Sequence, residues 1–313
     1  MEYLLLLIGL IFLIFSGRIL INNAVAIARR FHLSPFVIGL TVVAMGTSAP
    51  ELLVSLSGAL KDHSDVAIYN IIGSNISNIF LVLAVAAMIL PIPVSRKTMR
   101  LDWPVMIAFS IMVSVFILDL RLSFHEGIIL FILLLVFIIY SLNRSRKDST
   151  DDLKKNPGTR PVYAALILVL VSSAGLALGA NLLVDNAVIL ARKFHISERI
   201  ISVSLIAVGT SIPELATSAI AAFKKETDIS IGNIIGSNIF NIGFVLGLTG
   251  MIKPLDVNPL VLSFDIFWFL GAGIFLLVMV MAPRKMEVQR WKGLTMLSAY
   301  LIYLYFVLAN NTA

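Results

Sequence analysis

The chain has 313 residues, 59% hydrophobic and only 13% charged, with a mean hydropathy of +0.98. That excludes a soluble domain, which typically carries about 25% charged residues. The absence of cysteine excludes disulfides, thiolate nucleophiles and iron–sulfur ligation, and the net charge of +6, clustered between apolar runs, reads as loop lysine and arginine facing a cytoplasm rather than as a nucleic-acid footprint.

A membrane-spanning helix needs about 20 mostly apolar residues, and ten segments qualify. The first five are Tyr3–Ala28, Ser34–Leu60, Ala67–Leu90, Trp103–Leu118 and Glu126–Leu142. The second five are Val162–Ala191, Ser197–Phe223, Ile229–Met251, Leu260–Met281 and Lys292–Ala309. Met1 and Glu2 lead straight into an apolar run, without the basic region and cleavage site of a signal peptide, so no removable leader is expected. Residues 143–161 form the one long polar stretch, with six Lys and Arg plus Pro157 and Gly158, and read as a solvated linker.

Seventeen Lys and Arg fall in the loops on the linker's side and six in the loops on the other. The positive-inside rule then puts the linker in the cytoplasm and both termini outside the cell membrane. Arg18, Asp185 and Asp265 lie nearer span ends and read as interfacial, as do His32 and His195.

The chain repeats itself at an offset of 163. Asn23–Leu52 and Asn186–Leu215 agree at 16 of 30 positions, and Asn70–Leu81 and Asn233–Phe244 at nine of twelve. Five spans per half is an odd number, so the second copy enters the membrane from the opposite side. The expected fold is an all-α membrane protein of ten transmembrane helices, as two five-helix inverted-topology repeats, residues 1–142 and 162–313, joined by the linker.

The best-matched motifs, GTSAPE (Gly46–Glu51) and GTSIPE (Gly209–Glu214), sit in the middle of apolar spans. A charge at that depth costs about 2.5–3.5 kcal/mol on insertion scales, and no lysine or arginine lies at comparable depth in these spans. A bound cation is the natural partner. Pro50 and Pro213 lack an N–H, which should break each helix and free backbone carbonyls that must face a cavity or an ion. Thr47, Ser48, Thr210 and Ser211 add hydroxyl oxygens. In GSNISN (Gly73–Asn78) and GSNIFN (Gly236–Asn241), Ser74 with Asn78 and Ser237 with Asn241 are spaced i, i+4 on one helix face. Gly73 and Gly236 should allow close helix packing. Taken alone, Ser74 and Ser237 also read as packing residues; Asn75 and Asn238 point off that face and read as structural. Such an all-oxygen set suits Ca²⁺ and equally Na⁺.

With these motifs the sequence resembles the cation/Ca²⁺ exchanger superfamily, and within it the small prokaryotic Na⁺/Ca²⁺ exchangers. The resemblance covers the whole chain. It implies a midplane cluster of cation sites formed by Thr47, Ser48, Glu51, Ser74 and Asn78 with Thr210, Ser211, Glu214, Ser237 and Asn241, joined by the carbonyls of Ala44 and Ala207. It implies that Ca²⁺ and Na⁺ compete for Glu51 and Glu214, with no cofactor, and that the first and sixth spans slide across the bundle. Some relatives, K⁺-dependent ones among them, carry aspartate where Asn241 stands, which points to K⁺ independence here. The rival readings are a Ca²⁺/H⁺ or other divalent-cation exchanger on the same carboxylates, and a cation channel. An enzyme is not expected, since HExxH and cysteine are missing and no histidine neighbours the serine of GTSAPE. The expected partners are the two ions and the lipid bilayer; the oligomeric state is open, and a monomer is compatible with the reading.

Overall fold

A computed structural model describes residues 1–147, 161–195, 207–281 and 286–310. The described residues are helical, with four two-residue strands among them. Among the described residues eight helices are long and apolar enough to cross a membrane, or nine if one bent pair is counted as a single span. In chain order they are α1 (Glu2–Phe31), the bent pair α2 (Pro35–Thr47) and α3 (Ala49–Leu60), α4 (Ser64–Ile89), α5 (Thr98–Asp119), α6 (Phe124–Arg146), α7 (Val162–Lys193), then the shorter α8 (Ile212–Phe223), then α9 (Thr227–Ile252), α10 (Val261–Met281) and α11 (Arg290–Ala309). Most of the expected linker, and the start of the expected seventh span at Ser197–Ile206, lie outside the described residues.

Local chemistry explains where the first helices stop. α1 carries Glu2 in its first turn and Arg29 and Arg30 in its last, each sign where the helix dipole favours it. It ends at His32, which is left-handed (φ 55°, ψ 40°) and donates its N–H back to the last turn, while Leu33 N–H reaches Ala28 O at 2.8 Å. His195 repeats the left-handed turn at φ 57°. The matched ARRFH and ARKFH segments are therefore helix stops, in which histidine tolerates a conformation most residues avoid. Ser34 then caps α2, its Oγ accepting from Val37 N–H at 3.3 Å, and Pro35 occupies the first turn.

Lipid is as apolar as leucine, so these helices hold together through close packing and hydrogen bonds rather than water exclusion. α4 and α9 are the central pair, with 78% and 94% of their spanning windows buried, against 28–39% for the other long helices. Large apolar side chains such as Leu7, Phe15, Leu170 and Phe267 point outward. α2 lies on α9 with backbones touching: a Cβ at Gly39 would come within 2.5 Å of Ile229 O, and one at Gly236 within 2.4 Å of Leu40 O. Gly73, the counterpart of Gly236, meets no described atom within 4 Å; Val203, the counterpart of Leu40, lies outside the described residues. A second apolar cluster, separate from the main core, joins α1 to α7, and there Gly9 and Gly179 each pack against the other's carbonyl oxygen at 2.9 Å from the Cβ position.

Two short ladders tie the ends of the molecule. Ile92–Pro93 pairs antiparallel with Glu287–Val288, and Arg121–Leu122 with Leu255–Asp256. Asp265 is not interfacial as expected: it is 7% exposed and accepts a hydrogen bond from Tyr303 at 3.2 Å. Its counterpart at the 163 offset, Asp102, is also buried and pairs with Arg144 at 3.7 Å. Both sit in wide π-turns that open their helices, and each carboxylate there finds a partner inside the fold. Arg18 and Asp185 are exposed.

Candidate cation site

The two GTSxPE motifs make the same break. Ser48 (φ −82°, ψ 4°) and Ser211 (φ −86°, ψ 1°) leave the helical region at equivalent positions. α2 and α3 meet there at 42°. Pro50 and Pro213 stand in the first turns of α3 and α8, where the missing N–H costs least. The same break puts Glu51 and Glu214 in those first turns, where the helix dipole favours a negative charge.

Both glutamates are 0% exposed, as are Ser48, Asn78, Ser211, Ser237 and Asn241, with Ser74 at 1%. They interact electrostatically with each other, and Thr47 and Ser48 of the first half are the hydroxyl residues beside Glu214. Hydroxyls from opposite halves meet in two pairs, Thr47 with Ser237 at 3.4 Å and Ser74 with Thr210 at 3.2 Å. Of the expected residues, Thr47, Ser48, Glu51 and Ser74 of the first half therefore meet Thr210, Glu214 and Ser237 of the second. Of the two expected carbonyls, Ala44 O already accepts from Ser48 N–H at 2.9 Å and from Thr47 Oγ1 at 3.2 Å. Ala207 opens a single turn, Ala207–Gly209, ahead of the second break.

The site's chemistry lies in what its groups lack. All four carboxylate oxygens of Glu51 and Glu214, the Oγ of Ser48 and of Ser211, both polar atoms of Asn78 and the Oδ1 of Asn241 are buried without a hydrogen-bond partner among the described residues. A buried polar group left unpaired costs about 1–3 kcal/mol, a charged one more. Native structures rarely tolerate this without an ion, water or function to account for it. Among the described residues no ion pair involves either glutamate, and no three of His, Asp and Glu converge. The set is two carboxylates amid neutral oxygens, which fits a hard cation coordinated by oxygen.

Sequence reasoning missed the layer behind these groups. Asn233 binds Thr47, Ser237, Thr217 and Ser218, while Asn70 Nδ2 reaches Ser55 Oγ at 3.0 Å and Glu51 O at 3.3 Å. The signal was present: Asn70, Ser74 and Asn78 fall at i, i+4 and i+8, a stripe longer than the pair first noticed. Asn75, read from the sequence as structural, reaches a candidate site residue: its Oδ1 accepts from Asn241 Nδ2 at 3.0 Å and its Nδ2 donates to Asn238 O at 3.1 Å. Directly after Asn78 and Asn241 the helices widen into π-turns, Asn78–Leu83 and Asn241–Leu246, a distortion common at functional sites.

The profile of the sodium/calcium exchanger protein family matches residues 1–143 and 164–309. The chain belongs to that family. Its relatives include the inner membrane protein YrbG of Escherichia coli, 35% identical over 96% of this chain and 94% of that one. The sodium/calcium exchanger MaX1 of Methanosarcina acetivorans is 30% identical over 97% of both. Among solved structures, the sodium-calcium exchanger NCX_Mj, soaked with Na⁺ and Ca²⁺, superposes with a TM-score of 0.82 at 32% identity over 97% of each chain. As a family member the chain is a multi-pass membrane transporter of the cation/Ca²⁺ antiporter kind.

Proposed function

We propose that the protein exchanges Na⁺ for Ca²⁺ by alternating access, independently of K⁺, with Glu51 and Glu214 shared between the two cargoes. The observation that carries this is the pair of fully buried carboxylates whose oxygens have no hydrogen-bond partner among the described residues. Ca²⁺, or several Na⁺ ions, supplies the missing charge. With neither bound, two bare carboxylates face a poorly hydrated interior, so occlusion and switching require cargo; that requirement makes an exchanger rather than a leak. Thr47, Ser48, Ser74, Asn78, Thr210, Ser211, Ser237 and Asn241 complete the oxygen cage, with the carbonyls of Ala44 and Ala207 at its edge.

The finer topology belongs to the same proposal: ten spans in two inverted five-span repeats, both termini outside and the linker cytoplasmic. The seventh span would then begin among residues outside the described set. Strand pairing supports the inversion. Ile92–Pro93 and Leu255–Asp256 are equivalent at the 163 offset, and each pairs with a segment of the opposite half, as a two-fold axis in the membrane plane would require.

Sodium rather than proton coupling is supported by Asn78 and Asn241, where an acidic residue would add a titratable group. The relative named sodium/calcium exchanger points the same way. The test is ⁴⁵Ca²⁺ uptake into proteoliposomes against an outward Na⁺, K⁺ or H⁺ gradient, one at a time. Uptake is expected with Na⁺ alone. Uptake driven by H⁺ without Na⁺ would replace this reading with the Ca²⁺/H⁺ exchanger, and Ca²⁺ flux without any counter-ion would make it a channel.

A further inference from the structure

Asn233 lies one turn before Ser237 on α9 and is 1% exposed. Its amide uses every hydrogen-bonding capacity it has. Nδ2 donates to Thr217 Oγ1 at 3.2 Å and to Ser218 Oγ at 3.0 Å; Oδ1 accepts from Thr47 Oγ1 at 3.4 Å and from Ser237 Oγ at 3.5 Å. The orientation of the amide is forced. Thr217 spends its own proton on the carbonyls of Pro213 and Glu214, at 2.8 and 3.0 Å, so its oxygen can only accept, and the NH₂ end must face it. The carbonyl end is thereby turned towards Thr47 and Ser237.

A hydroxyl has one proton and two lone pairs. Thr47 divides its one proton between two carbonyl acceptors, Ala44 O at 3.2 Å and Asn233 Oδ1 at 3.4 Å, and Ser237 gives its own to Asn233 Oδ1, so what both hydroxyls keep for the cavity is oxygen lone pair, the form a cation needs. We infer that Asn233 is a positioning residue that holds the Thr47 and Ser237 hydroxyls, one from each half, as cation acceptors. Asn70, its counterpart, does a different job, reaching Ser55 and the Glu51 carbonyl, while Ser74 and Thr210, the counterparts of Ser237 and Thr47, bond to each other. The two hydroxyl pairs are thus unequal, and the Thr47–Ser237 pair is the better prepared. This rests on the proposed cation site and adds to it the group that orients two of its oxygens.

The experiment measures Na⁺ and Ca²⁺ half-saturation and maximal rate in proteoliposomes for Asn233→Leu, Thr47→Val and the double variant, with Asn70→Leu beside them and elution profile and melting temperature as fold checks. Loss of a supporting partner behind a metal ligand typically weakens affinity 10–100-fold. Asn233→Leu should therefore raise ion half-saturation on the order of 10-fold, with a smaller change in maximal rate. Once Thr47 lacks its hydroxyl, Asn233→Leu should add much less, a non-additivity that marks one coupled unit. Unchanged half-saturation in a folded Asn233→Leu protein, or full additivity with Thr47→Val, overturns the inference. If Asn233→Leu does not fold, Asn233→Asp decides: it keeps the acceptor and adds charge beside both hydroxyls, so altered half-saturation supports the role and an unaltered value refutes it. Glu51→Gln and Glu214→Gln, run in parallel, separate the two levels: flux surviving both removes the site itself, whereas flux lost in both with Asn233→Leu normal removes only the role of Asn233.

Discussion

The two halves carry nearly the same motifs but wire them differently. Asn241 donates to Asn75, leaving only its oxygen unpaired, whereas Asn78 has both polar atoms unpaired. Asn233 is a four-bonded hub, while Asn70 reaches a hydroxyl and a backbone carbonyl. Part of the cause is visible in the sequence: Thr217 of the second half corresponds to Val54 of the first, and Thr217 is buried while Val54 is exposed. A repeated motif decides which groups reach the site. The neighbours that differ decide how those groups share protons.

The harshest test of that comparison removes what the halves have in common. Glu51→Gln or Glu214→Gln should each abolish Na⁺-driven ⁴⁵Ca²⁺ flux while leaving the protein inserted, and near-normal flux in both would remove the site. Gly236→Ala should come next, because its Cβ would sit 2.4 Å from Leu40 O and 2.8 Å from Ala44 Cβ. Overpacking of this kind costs about 1–3 kcal/mol, and it pushes against the segment that delivers Thr47. Gly73→Ala, which meets no described atom within 4 Å, should lower the melting temperature less; equal losses would mean the halves pack alike.

Subtler is the pair Asn241→Asp and Asn78→Asp. An aspartate at 241 faces Asn75 Oδ1, an acceptor fixed by the bond from Asn75 Nδ2 to Asn238 O. It reaches that oxygen only when protonated, so flux in this variant should fall as pH rises. Asn78→Asp has no such acceptor among the described residues and should show a different pH profile; identical profiles would erase the asymmetry.

The smallest effect is expected at Asp62, whose exposed carboxylate meets Lys253 of the other half. The ammonium holds the Asp62 carboxyl below the usual carboxylate range. A lowered value means the pair contributes above the ordinary carboxylate pKa and loses that contribution as pH falls through the lowered one. Exposed pairs of this sort count for little, so Lys253→Ala should leave the melting temperature near pH 7 almost unchanged. A large drop would reveal an unexpected tie between halves.

Much of this was legible beforehand. The break at Ser48 follows from Pro50, the burial of Glu51 and Glu214 from the apolar residues around them, and the meeting of the halves from the duplication. What was not legible depends on contacts between distant segments. Nothing near Asp265 in sequence announces Tyr303, and nothing near Asn75 announces Asn241. Asn233 was visible as part of a motif, but its role emerges only once Thr47 of the other half arrives beside it.

The contact between Gly9 and Gly179 has a consequence for how the bilayer itself is felt. α1 and α7 have 30 and 32 residues, about 45 Å or more of helix, against a hydrocarbon layer roughly 30 Å thick. Helices this long accommodate by leaning or by protruding at their ends. Joined backbone to backbone, they lean together, as a single beam along the flank of the bundle. Thinner or thicker membranes change the mismatch that these two helices meet together, and should shift turnover while the buried oxygens stay as they are.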